Sequence, residues 1–111
     1  MELTIEPHEH VLSVNVAGRI DGSNAEAFAE SLRDAVERTD RALLLVFRDL
    51  QYIDHAGLDV VSVAARSLGD RNARLALCEL SEPVLTLFRI SGLDRLLPIY
   101  RSEADARVSL E

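Results

Sequence analysis

Two acidic turns hold the side chains that could do chemistry in this 111-residue chain. They are Gly18–Arg19–Ile20–Asp21–Gly22–Ser23–Asn24 and Ile53–Asp54–His55–Ala56–Gly57. Asp21, Asp54 and His55 could be arranged as a hydrolytic site. However, no nucleophilic Ser or Cys is paired with a base, no third metal ligand is present, and the glycines form no phosphate-binding loop. We therefore expect no enzyme activity, no cofactor and no metal.

Three other reactive side chains are better explained by structure than by chemistry. Cys78 is the single cysteine, so it cannot form an internal disulfide, and its apolar run Leu75–Cys78 predicts burial in the core. His8 and His10 alternate in a predicted turn between two strands. Two histidines without a third ligand make a poor metal site, so we interpret them as solvated turn residues.

Composition places the chain among globular proteins and excludes some partners. Hydrophobic residues make up 48% and charged residues 28% of the chain, and its length predicts a single domain spanning residues 1–111. The formal charge of −7 argues against non-specific binding to nucleic acid or anionic membranes. No apolar run approaches the roughly 18 residues of a membrane helix, and the N-terminal residues do not resemble a signal peptide. We expect a cytoplasmic protein.

The elements around the second acidic turn follow from a change of hydrophobic period. The unbroken apolar run Leu43–Phe47 predicts a strand that is buried on both faces. The residues from Asp49 to Tyr52 end that run, and we interpret them as a short connection. After the turn, a stripe at helical spacing comprises Leu58, Val61, Ala64 or Ala65, and Leu68. Asp54 suits the N-cap of that helix, which places His55 and Ala56 in its first turn.

The other elements are predicted in the same way. Leu3–Glu6 and Val11–Ala17 form an antiparallel hairpin, and Ser23 with Glu26 forms a capping box for a helix over about 24–38.

The C-terminal part of the chain continues the alternation of strand and helix, and Arg74–Leu80 is its first strand. Ser81 begins a helix that Gly92 ends, with inward residues Val84, Leu87, Phe88 and Ile90. Leu96–Tyr100 is a last strand, and Ser102 caps a final helix to about Leu110 with Ala104, Ala106 and Val108 inward.

This alternation of strands and helices predicts an α/β fold. The N-terminal hairpin is followed by β-α units, which give a mostly parallel, mixed sheet with helices packed on it. Asp21 and Asp54 each follow a strand, and ligands and partners meet such sheets at the carboxyl ends of the strands. We therefore predict a partner-binding surface above Leu58, formed by Asp21, Ser23, Asn24, Asp54, His55, Ala56, Gly57 and Asp59.

Three segments, in this order and spacing, resemble STAS domains, the module shared by anti-sigma factor antagonists and the tails of sulfate transporters. Asp49–Leu58 resembles the family's D-S-x-G-L signature. Gly18–Asp21 and Ser91–Tyr100 are similar to the matching family stretches. The likeness covers essentially the whole chain.

The resemblance implies a regulatory function. Stand-alone STAS domains of this size bind an anti-sigma factor with a histidine-kinase-like ATPase fold and so free the sigma factor. That kinase phosphorylates the antagonist on the serine after the signature aspartate, and a phosphatase reverses the reaction. The implied partners are therefore this anti-sigma kinase and a phosphatase.

At the phosphorylated position this chain has His55, so serine phosphorylation is lost there. Three interpretations of His55 stay open: a tolerated surface residue, a residue that keeps the domain in its partner-competent form, and a pH sensor or phosphohistidine. Ser23 and Ser62 are the substitute hydroxyls nearby. An alternative function from another class is a STAS subunit of a lipid-transport ABC system that binds the ATPase subunit.

Overall fold

A mixed six-stranded sheet forms the centre of the protein in a computed structural model that describes residues 1–110. The elements in chain order are β1 (Glu2–His8), β2 (Val11–Ile20), α1 (Ala25–Arg38), β3 (Ala42–Val46), β4 (Leu50–Ile53), α2 (His55–Gly69), β5 (Arg74–Cys78), α3 (Glu82–Ser91), a 3₁₀ turn (Leu93–Arg95), β6 (Ile99–Tyr100) and α4 (Glu103–Leu110).

The strand order is β1-β2-β3-β5-β6, with β4 pairing to β2 outside this path. Only β1 and β2 are antiparallel, and every other pairing is parallel. The predicted α/β class, the N-terminal hairpin and the mostly parallel sheet are therefore confirmed.

Strand β4 replaces the connection that the sequence led us to expect between β3 and α2. β2 is ten residues long, and β3 pairs only with its first half, from Val11 to Asn15. The second half of β2 is left with an open edge, and β4 pairs there through Leu50 and Ile53, which are both buried. A four-residue strand with two exposed residues in its middle has too little pattern to be recognised from sequence.

Helices bury both faces of the sheet, and the two cores that result differ in size. Leu43 and Leu45 of β3 belong to the larger core under α1, α2 and α3. Leu44 and Val46 belong to a smaller core closed by Ala106 and Leu110 of α4. All five residues of β3 are buried, which explains its unbroken apolar sequence.

Cys78 lies in the smaller core and is buried, as predicted. Burial raises the pKa of its thiol to about 12, because a charged thiolate is poorly solvated in an apolar environment. The cysteine is therefore a packing residue rather than a nucleophile.

Some predicted inward residues point to solvent. Ile90 is 78% exposed and Val108 is 76% exposed, and Ala104 is exposed as well. The face that α4 buries is set by Ala106 and Leu110, four residues apart, which excludes Ala104 and Val108 from the same stripe. The last strand is also shorter than predicted and comprises only Ile99–Tyr100, because the N–H groups of Leu96 and Leu97 donate to the Leu93 carbonyl of the preceding turn.

The N-terminus of α4 is held by Glu79, which follows β5. Glu79 adopts a left-handed backbone conformation, with a φ of 62°. Its carboxylate accepts a hydrogen bond from the Glu103 N–H at 2.8 Å and pairs with Arg48 at 3.4 Å. The bond from the Glu103 N–H and the pairing with Arg48 lower the pKa of Glu79 below its usual value.

The helices within residues 1–110 include none with the length and apolar character of a membrane-spanning segment.

Glu79→Gln is expected to lower the free energy of unfolding by about 1 kcal/mol at neutral pH, because a charge-assisted cap is lost. The carboxylate stabilises the fold above its unfolded-state pKa of about 4.3, and this contribution disappears as pH falls through the lower folded-state pKa. Urea titrations should therefore show the difference from wild type shrinking in acid. Glu30→Gln, on an exposed part of α1, is the control, and an equal loss in both variants would contradict the assignment.

Candidate functional site

The two acidic turns meet at one edge of the sheet. Ile20 and Ile53 are register partners at the carboxyl ends of β2 and β4. Asp21 and Asp54 are the next residues along each strand, and the Asp54 N–H donates to the Ile20 carbonyl at 3.0 Å. The proximity that the sequence predicted is thus created by strand β4, which the sequence did not reveal.

The Asp54 carboxylate joins the two turns. One oxygen accepts a hydrogen bond from the Gly57 N–H at 3.2 Å, which confirms Asp54 as the N-cap of α2. The other accepts from the Gly22 N–H at 3.1 Å, in the turn before α1. The side chain is partly buried, so it fixes the turns in place while only part of it remains available to a partner.

The first turn is organised around Asp21. Its carboxylate accepts from both the N–H and the hydroxyl of Ser23, at 2.9 and 2.5 Å. These two bonds, the hydroxyl first, lower the pKa of Asp21. The Asn24 side-chain carbonyl in turn accepts from the Asp21 N–H at 2.9 Å, and its amide donates to the Arg19 carbonyl at 2.9 Å.

This network overturns the predicted capping box of Ser23 and Glu26. The N-cap of α1 is Asn24, and no side chain caps the helix. Ser23 lies one residue before this N-cap, and its hydroxyl donates to the carboxylate of Asp21, which is a short-range competition between polar side chains.

The first turn of α2 presents the most exposed side chains of the site. The His55 side chain is 89% exposed, and its Nε2 lies 3.6 Å from the carboxylate of Asp59, which is 68% exposed. Ala56 is partly exposed, while Leu58 is buried beneath them. Neither His55 nor Ala56 carries a hydroxyl.

Gly57 allows α2 to approach the sheet closely. A Cβ at this position would lie 2.6 Å from Cγ1 of Ile53 and 2.8 Å from Cγ2 of Ile20. Both isoleucines are completely buried, so they have little freedom to move. The helix start therefore sits directly on the ends of the two strands that carry the acidic turns.

A pair of residues beside the site was missed by the sequence analysis. The guanidinium of Arg19 lies over the ring of Tyr52, 4.6 Å from its centroid. They are register partners on β2 and β4 and alternate with the buried Ile20 and Ile53. That alternation is the signal that could have revealed them, had β4 been recognised.

Within residues 1–110, no three His, Cys, Asp or Glu side chains form a group able to hold a metal ion. His8 and His10 have separate partners, since His8 lies 2.8 Å from Arg107 and His10 lies 2.9 Å from Asp40.

The two turns and the start of α2 together form an acidic surface, which we call the rim. It comprises Asp21–Asn24 and Asp54–Asp59, and the hydrogen bonds of Asp54 hold its two parts together.

Comparison with known proteins identifies relatives along the whole chain. The family model that matches is the STAS domain, over residues 2–106. An anti-sigma F factor antagonist of Paenibacillus polymyxa is 28% identical over 100% of this chain and 96% of its own. An anti-sigma-B factor antagonist of Listeria monocytogenes is 31% identical over 95% of each chain.

The fold has solved counterparts as well. The crystal structure of an anti-sigma factor antagonist from Mycobacterium paratuberculosis superposes with a TM-score of 0.90. It shares 22% sequence identity and covers 98% of this chain and 92% of that one. At this identity the likeness supports the fold alone.

Gly57→Ala is expected to lower the free energy of unfolding by about 1 to 3 kcal/mol, because the added methyl overlaps two immobile isoleucines. Gly69→Ala is the matched control at the far end of α2, where a Cβ meets nothing within 4 Å. That substitution should be neutral or stabilising by up to about 1 kcal/mol. Thermal and urea unfolding of both variants provide the measurement, and equal stability of the two would refute the close approach.

Proposed function

The chain belongs to the STAS domain family, and on this basis we propose that it is an anti-sigma factor antagonist that binds its partner through the rim. The partner in this proposal is an anti-sigma factor of histidine-kinase-like ATPase fold. Binding sequesters that factor and frees a sigma factor. Supporting this function are the relatives named as antagonists, which align over nearly their full length.

The observation that carries the proposal is the exposure of the rim on a rigid base. Asp54 ties the turns together from below, while Ser23, His55 and Asp59 are exposed above it. Because their support is formed before any partner arrives, binding these groups costs little conformational entropy.

The charge of the rim favours a basic partner surface. Asp21, Asp54 and Asp59 place three carboxylates on the rim, and the whole chain carries a formal charge of −7. Electrostatic attraction of this kind speeds encounter and selects partners more than it tightens the complex.

The proposal also states that position 55 has lost the off-signal, by which we mean the serine phosphorylation that releases the partner. A phosphate at the start of α2 would add nearly two negative charges to an already acidic rim and would repel a partner adapted to the neutral form. His55 has no hydroxyl to accept a phosphate in that way. In this chain, binding is therefore controlled by means other than serine phosphorylation at this position, and a phosphatase has no substrate there.

Asp59→Arg is expected to weaken binding to the anti-sigma factor about tenfold or more, because it reverses a charge on the rim. Asp59 is preferable to Asp54 as a probe, since Asp54 also holds the two turns in place. Asp70→Arg, at the opposite end of α2, is the matched control. Isothermal titration calorimetry against each ATPase-fold anti-sigma factor of the source genome measures both, and equal weakening by the two variants would contradict a rim-specific contact.

His55→Ser is expected to restore phosphorylation by the cognate kinase, since the exposed position and the Asp54 cap are already present. Incubation with ATP followed by peptide mass spectrometry locates the phosphate. Wild type should remain unmodified, and the analysis should preserve acid-labile phosphate so that His55 itself is monitored. Phosphate on Ser23, Ser62 or His55 of wild type would refute the loss of the off-signal.

A further inference from the structure

An apolar groove of about 340 Å³ runs between α1 and α2. Its floor consists of Leu32, Val36 and Ala64, which are buried. Val63 stands at its edge and is 56% exposed, among the few large hydrophobic side chains that the fold leaves in solvent. Exposed apolar surface next to a groove is typical of binding sites.

The exposed side of α1 next to its groove-lining residue Arg33 is acidic. Glu26, Glu30 and Glu37 are exposed, and their spacing of four and seven residues places them on one stripe of the helix. Arg33 lies in the same stripe and lines the groove. Within residues 1–110, none of these four side chains forms an ion pair. The stripe thus has a net negative charge, and within the described part of the chain its carboxylates form no salt bridge.

The groove and the rim are continuous. Asp59 belongs to the rim and also lines the groove, whose other end is Ser67 on the same helix. Eight residues of α2 correspond to about 12 Å, or roughly two helical turns. A partner seated on the rim therefore reaches the groove without a gap.

The groove also restricts the backbone conformation of its occupant. Both walls are helices, whose central N–H and C=O groups are already hydrogen-bonded within each helix. An extended peptide would leave its own backbone groups unpaired against these walls, whereas a helix satisfies them internally.

We propose that the α1/α2 groove receives an amphipathic helix of the rim-bound partner, with apolar side chains against Val63 and a row of Lys or Arg beside Glu26, Glu30 and Glu37. The inference rests on the proposed function, because the rim brings that partner to the groove. It extends the binding surface to a face of the molecule that carries none of the family's signature residues.

The test uses two exposed valines on helices at opposite faces of the sheet. Val63→Glu places a charge at the groove, and Val108→Glu places the same charge on α4, where the valine is 76% exposed. Calorimetry with the same anti-sigma factor should show Val63→Glu about tenfold weaker than wild type, because the introduced carboxylate is buried against an apolar helix face. Val108→Glu should bind within about twofold of wild type. Circular dichroism melts verify that both variants fold.

The outcomes separate the groove from the rim. Weakening by both Asp59→Arg and Val63→Glu, with Val108→Glu unchanged, supports the inference. Weakening by Asp59→Arg alone overturns the inference that a partner helix occupies the groove, and it leaves the proposed function of the rim intact. Failure of wild type to bind any anti-sigma factor overturns the proposed function itself.

A further measurement tests the acidic stripe of α1. The double variant Glu30→Lys with Glu37→Lys should associate with the partner more slowly and with a smaller salt dependence. An unchanged association rate would overturn the basic character of the partner helix.

Discussion

One carboxylate holds the site of this protein together. Asp54 accepts hydrogen bonds from Gly57 at the start of α2 and from Gly22 in the turn before α1. It thereby joins two segments 32 residues apart in sequence. Since each bond satisfies a backbone N–H at a turn, the aspartate serves both as a helix cap and as a clamp between two loops. The exposed rim residues depend on this partly buried side chain for their relative positions.

The rim is supported by the sheet as well as by Asp54. Strand β4 pairs with the half of β2 that β3 leaves open, so two strands end side by side at the acidic turns. The absence of a Cβ at Gly57 lets α2 settle against Ile20 and Ile53. In the proposed function, an edge built in this way needs little rearrangement when it binds a partner.

The presence of His55 separates two properties that a serine would combine. In the proposed function, binding depends on the shape and charge of the rim. Switching by phosphate depends on a hydroxyl at one position, where this chain has an imidazole. A docking helix in the α1/α2 groove would give such a protein a second contact area, in which partner choice depends on apolar and acidic surface away from position 55.

The sequence by itself determined the local features: the buried strand β3, the hairpin, the helical stripe of α2, the Asp54 cap and the His55 substitution. Each depends on residues close together in the chain, where periodicity and capping act. Only the tertiary structure decided the existence of β4 and the outward direction of Ile90 and Val108. These depend on which neighbours take a strand edge or a helix face, and those neighbours are brought together only by folding.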